Sequence, residues 1–109
     1  MKTAKIKVYF FGTAEGAKRV IEVDNTVDAL QGLVGGYIET TSFAGLGEHG
    51  IIIVCNETGL LDGLEPNENL FPFFIVGTVF FTACDSEGYF VSLSDEQIQI
   101  IDNFFTEGA

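Results

Sequence analysis

Three carboxylates, Asp62, Glu65 and Glu68, recur at every third position within the segment NETGLLDGLEPNENLFP. Hard cations take such oxygen ligands, but the segment lacks the ligand spacing of an EF-hand loop, so a solvated turn is the simpler reading. Material for nucleophilic chemistry is equally thin. His49 is the only histidine, set in a glycine-flanked loop beside Glu48, and the cysteines, Cys55 and Cys84, form no CxxC pair. A nucleophile needs an oriented base beside it, and the sequence places neither cysteine within reach of the imidazole. The same spacing fails as a zinc set, and both cysteines read as small hydrophobes. Phosphate chemistry would have to borrow Lys18 and Arg19, less positive charge than enzymes acting on such anions normally supply. Asp85 and Glu87 are accounted for by hairpin geometry, and Asp95 and Glu96 by the dipole of the helix they open. No catalytic residue, cofactor or metal is therefore expected. The candidate binding residues are the polar groups of the loop that follows Cys55, namely Asn56, Glu57, Asp62, Glu65, Asn67 and Glu68.

Charge is the most informative property of the chain. Its 109 residues carry a net charge of −11, and Lys2, Lys5, Lys7, Lys18 and Arg19 are the only basic residues. From Val20 onward the chain has carboxylates and no Lys or Arg. A one-signed field repels nucleic acid and anionic membrane and favours cationic surfaces over roughly a Debye length, about 8 Å at physiological salt. A solubility-driven acidic surface is the simpler reading; where the surface serves a partner, the expected one is a basic protein surface, with no direct nucleic-acid or membrane contact. The opening MKTAKIKVYFFG lacks a signal-peptide core and cleavage site, and the longest apolar stretch, Leu70 to Ala83, is interrupted by Pro72, Gly77 and two Thr. A soluble, cytoplasmic protein is expected.

Periodicity supplies the elements that would position these groups. Lys5 to Phe11 and Lys18 to Val23 alternate and read as a hairpin. Asn25 is expected to cap a helix over Thr26 to Val34 whose buried stripe is Val27, Leu30, Leu33 and Val34. Gly35 and Gly36 follow that helix rather than precede it, so they form a C-terminal cap and not a phosphate cradle. Tyr37 to Thr41 extends, SFAGLGEHG reads as a flexible connector, and Ile51 to Cys55 is a β-branched strand buried on both faces. The acidic segment after it reads as an ordered, surface-exposed loop. Phe73 to Ala83 is expected to be a strand with both faces apolar, reversing through Asp85-Ser86-Glu87-Gly88 into Tyr89 to Val91. SLSDEQIQIIDNFF then opens a helix from Asp95 to about Phe105: Ser94 and Gln97 form a capping box, Leu93 and Ile98 a hydrophobic staple. Ile98, Ile101 and Phe105, widened by Ile100 and Phe104, would dock it on the sheet. The expected fold is a single α+β domain over residues 1–109, a mainly antiparallel sheet of five or six strands with two helices.

Read in order, LQGLVGGYIE, IIIVCNETGLLDGLEPNENL, IVGTVFF and GYFVSLSDEQI resemble the domain of unknown function 3846 family of small phage and mobile-element proteins. The resemblance implies a small α+β domain, a mobile-element setting and no established reaction. Members of that family often carry Pro-Pro-Asn and then a basic residue where this chain has Glu65-Pro66-Asn67-Glu68, which weakens transfer of any role needing a cation in the loop. The hairpin, helix and further strands also resemble the start of ubiquitin-like β-grasp domains, an architectural likeness that says nothing of activity.

The functional expectation is a non-enzymatic acidic interaction protein of a phage or mobile element. A small-ligand-binding or sequestering module, using the Asn56 to Leu70 loop over an apolar pocket, is the alternative, and an uncharacterised enzyme a third. Phe71, Phe73, Phe74, Phe80 and Phe81 could line an aromatic box but read more simply as a doubly buried strand. Because two short helices need not cover both faces of such a sheet, a homodimer through the uncovered face is also a hypothesis.

Overall fold

The computed structural model describes residues 5–107. Alternation gives the first hairpin as expected: β1 (Lys5–Phe11) pairs antiparallel with β2 (Lys18–Asp24), from Lys5 opposite Asp24 to Phe11 opposite Lys18. Helix α1 (Val27–Val34) follows and leads to β3 (Ile38–Thr41) and β4 (Ile51–Asn56). After the acidic segment come β5 (Val79–Cys84), β6 (Phe90–Val91) and helix α2 (Asp95–Glu107). The antiparallel sheet has the order β2-β1-β5-β4-β3, and β6 pairs the end of β5 beyond the reach of β1.

The sheet is covered on both faces. Leu30 and Val34 of α1 bury themselves on one face against Ile6, Val8, Val54 and Phe80. Ile101 of α2 packs on the other with Tyr9, Phe11, Ile51, Ile53 and Phe81. Phe80 and Phe81 are consecutive, so the pleat sends one ring into each layer, and both are fully buried. A bare sheet face, the reason for expecting a homodimer, is therefore not a feature of the described residues. β5 also begins later than the sequence suggests. Phe73 and Phe74 belong to the loop before it, Phe74 fully exposed, while only Val79 onward is hydrogen-bonded as strand.

Local chemistry explains where the helices start and stop. Thr26, not Asn25, caps α1, its hydroxyl accepting the Ala29 N–H, while the Asn25 amide donates to the Phe90 carbonyl. Val27 consequently sits at the first turn and is exposed, outside the expected stripe. Gly35 ends the helix at φ +78 with its N–H donating to the Gln31 carbonyl, a left-handed cap that costs glycine no steric penalty. For α2 the reciprocal box is formed: Gln97 N–H donates to Ser94 Oγ and Ser94 N–H to Gln97 Oε1. The SFAGLGEHG segment buries Leu46, forms a 3-10 turn over Gly47–His49, and accepts a bond from the Gln97 amide at the His49 carbonyl.

Buried polar side chains join the layers. Tyr9 on β1 donates its hydroxyl to Asp102 of α2 at 2.6 Å. Asn67 donates to the carbonyls of both Phe11 and Gly77, at 3.0 and 2.9 Å, and is almost entirely buried. Asn56 donates to the Val34 carbonyl and accepts from the Thr58 N–H, fastening the end of α1 to the end of β4.

Burial, followed by the hydrogen bond to Asp102 and that group's charge, pushes the Tyr9 phenol up to about 12. Because it ionises later in the folded than in the unfolded chain, its stabilising contribution is complete below the ordinary phenol value of about 10 and is lost as pH rises toward 12. Tyr9→Phe should be less stable than wild type at pH 8, and the difference should shrink across that alkaline window; urea unfolding at stepped pH reads both. Asn67→Ala should cost about 2–4 kcal/mol because two buried carbonyls lose their donor, whereas Glu57→Ala, at an exposed position, should stay within about 0.5 kcal/mol. A neutral Asn67→Ala in the same denaturation assay would contradict the suture role.

Candidate functional site

The segment between β4 and β5 is built as a protruding tongue. At its base Pro66 bridges Val76, the Asn67 N–H donates to the Ile75 carbonyl, and the Gly77 N–H donates to the Glu65 carbonyl. Gly77 has φ +80, a backbone conformation that favours glycine, and it packs closely beneath the end of the Leu64 side chain. Beyond the base, Glu68–Leu70 forms a 3-10 turn whose Leu70 is buried, and the chain then passes through a cis Phe71–Pro72 peptide.

The tongue is fixed to the β1–β2 turn by a second asparagine. Asn69 Nδ2 donates to the carbonyls of Gly12 and Ala14, each at 2.7 Å, and its Oδ1 accepts the Gly16 N–H. The Glu68 N–H adds a bond to the Thr13 carbonyl. Glu15 and Glu68 are thereby held on neighbouring turns, and both line a groove of about 370 Å3 whose apolar wall includes Phe71, Phe74 and Ile75.

On the other side of the tongue Phe73 stacks on Phe43 with ring centres 4.4 Å apart and planes 14° off parallel, and Phe104 of α2 extends the stack at 5.8 Å from Phe73. Phe71 is 77% exposed and Phe74 100%. Stacking explains Phe73; no burial explains Phe71 or Phe74. Contiguous exposed apolar surface is one mark of an interaction site.

The six residues expected to bind do not converge on one point. Glu57, Asp62, Glu65 and Glu68 are exposed, but Asn56 and Asn67 are buried and their amides are engaged by the chain's own carbonyls. These two side chains join distant parts of the chain. Asp62 accepts from the Thr58 hydroxyl, and Glu65 lines a separate groove of about 320 Å3 near Gly35 and Leu64. Sequence reasoning missed Glu15, which the turn brings beside Glu68, and misread Phe71 and Phe74 as strand. Pro72, which cannot donate to a sheet ladder, was the available signal. Another groove, about 690 Å3, lies between the start of α1 and the β5–β6 hairpin, lined by Thr26, Leu30, Ile38, Asp85, Glu87 and Tyr89.

Of the candidate reactive residues, Cys84 adjoins the residue after His49, its N–H donating to the Gly50 carbonyl at 3.1 Å, whereas Cys55 lies near the other end of β4. Cys55 is half-buried on β4, and burial, then the charge of Glu39, raise its thiol, keeping it protonated and weakly nucleophilic. Both cysteines are unbridged, His49 is exposed, and no group of three or more His, Cys, Asp or Glu side chains among the described residues is arranged to hold a metal ion. Lys18 and Arg19 lie over the rings of Phe11 and Phe10, at 5.5 and 5.1 Å. No helix of the described residues is long and apolar enough to cross a membrane.

No curated protein and no solved structure matches the chain. A family model does, over residues 6–106, nearly the whole of the structure described above. That span takes in the first hairpin and both helices as well as the motifs that carry the resemblance, and the chain belongs to the family described as domain of unknown function (DUF3846).

Proposed function

We propose that this protein is a non-enzymatic interaction protein whose acidic exterior engages a basic protein surface. One observation carries the reading: every Asp and Glu from Glu15 to Glu96 is exposed, and only two ion pairs, Lys5–Asp24 and Lys7–Asp95, form among the described residues. Carboxylates left unneutralised at the surface produce a field that attracts and orients cationic partners. A phage or mobile-element setting is the context that the family resemblance suggests.

Association of this kind is governed by screening, because the Debye length falls from about 10 Å at 0.1 M salt to about 3 Å at 1 M. Partners captured by the immobilised protein from a bacterial lysate at the lower salt should be basic proteins and should be released at the higher one. Identification by native mass spectrometry of the eluate checks both points. Capture of neutral or acidic proteins, or retention unchanged at 1 M salt, would refute the reading.

A further inference from the structure

The groove between the β1–β2 turn and the tip of the tongue combines features that the fold itself does not use. The side chains of Glu15 and Glu68 have no hydrogen bond or ion pair among the described residues, although the turns that carry them are locked together through Asn69. Phe71 and Phe74 are exposed to solvent along the same groove. Carboxylates beside exposed aromatic rings are complementary to one side chain above others. A guanidinium is planar, pairs with carboxylates through two parallel N–H bonds, and stacks on aromatic rings, whereas an ammonium is a strongly hydrated point charge that does neither as well.

A second copy of the chain fits this groove poorly. Two surfaces of the same sign would have to meet, and the described cations are committed at home, Lys5 to Asp24, Lys7 to Asp95, and Lys18 and Arg19 over their own rings. We therefore propose that the groove lined by Glu15, Glu68, Phe71 and Phe74 docks an arginine side chain presented by a basic polypeptide segment. This rests on the acidic-interaction reading and assigns it a point of contact. Tethering the carboxylates to hydrogen-bonded turns lowers the entropic cost of pairing, which loose surface side chains would have to meet in full.

Fluorescence anisotropy with the full chain tests this, using a labelled glycine–serine peptide that carries arginines and a lysine counterpart of equal charge. The arginine peptide should bind several-fold more tightly. Glu15→Gln with Glu68→Gln should weaken its binding about tenfold or more, and Phe71→Ser with Phe74→Ser should abolish the preference for arginine over lysine. A control pair with the same change of net charge, Glu22→Gln with Glu39→Gln on the two edge strands, should stay within about twofold. Thermal melts confirm that each variant is folded, which exposed positions make safe. Equal losses for the test and control pairs would overturn the groove while leaving the acidic-interaction reading standing. Failure of both peptides to bind, together with no salt-releasable basic partner, would remove both. If the Phe71 and Phe74 changes convert a dimer to a monomer and leave peptide binding intact, the tongue is a self-association surface and the proposal fails.

Discussion

Strand β5 is the constraint on which the rest of the molecule is hung. It is hydrogen-bonded to β4 along one edge and to β1 and then β6 along the other, and its residues from Val79 to Ala83 are buried. A strand enclosed on four sides cannot shift by one residue without exchanging Phe80 and Phe81 between layers, so the register of the whole sheet is specified by that pair. Thr82 between β4 and β6 is tolerated because its hydroxyl donates to the Val91 carbonyl. The two helices follow from the same strand, since each apolar face it presents needs a cover.

Full use of the interior clarifies the exterior. With Phe80 and Phe81 committed to the core, the aromatic richness of FPFF has to be explained separately, and the tongue is where that residue of apolar surface lies. Pro72 and the base at Pro66 and Val76 keep these rings out of the sheet. At the sheet margins a different logic holds. β2 and β3 are the edges, and their exposed Arg19, Glu22, Asp24 and Glu39 place charge where unpaired backbone would otherwise invite another strand.

How much of this was legible in the letters follows from the range of each signal. The first hairpin, the Gly35 cap, the Ser94–Gln97 box and the Asp85 turn are local, set by residues within one or two turns of each other, and sequence reading placed them correctly. The start of α1 moved by one residue because Asn25 and Thr26 are both good caps, and the Phe90 carbonyl, distant in sequence, claims the asparagine. Phe71 to Phe74 was misjudged because hydrophobicity alone cannot tell a buried strand from an exposed tip. Asn56 and Asn67 look like solvent-facing loop residues for the same reason: the carbonyls of Val34, Phe11 and Gly77 that bury them come from other parts of the chain. The candidate groove was half visible, through Glu68, and half hidden, because only the Asn69 network brings Glu15 to it.

The acidic residues themselves divide in a way that net charge conceals. Asp24, Asp95 and Asp102 have a cation or a phenol; Glu48, Asp62 and Asp85 accept hydrogen bonds within their own turns; Asp28 and Glu96 sit in the first turns of helices. Each of these stabilises the fold locally, by an amount set by a hydrogen bond or a helix dipole. Glu15, Glu57, Glu65 and Glu68 have no such task among the described residues and sit at turns or on the tongue, where they add only self-repulsion to a chain already at −11. The fold does not offset this repulsive term locally, which is the charge distribution that the interaction reading proposed above draws on. Of this subset, Glu15 and Glu68 share a groove, whereas Glu65 lines another.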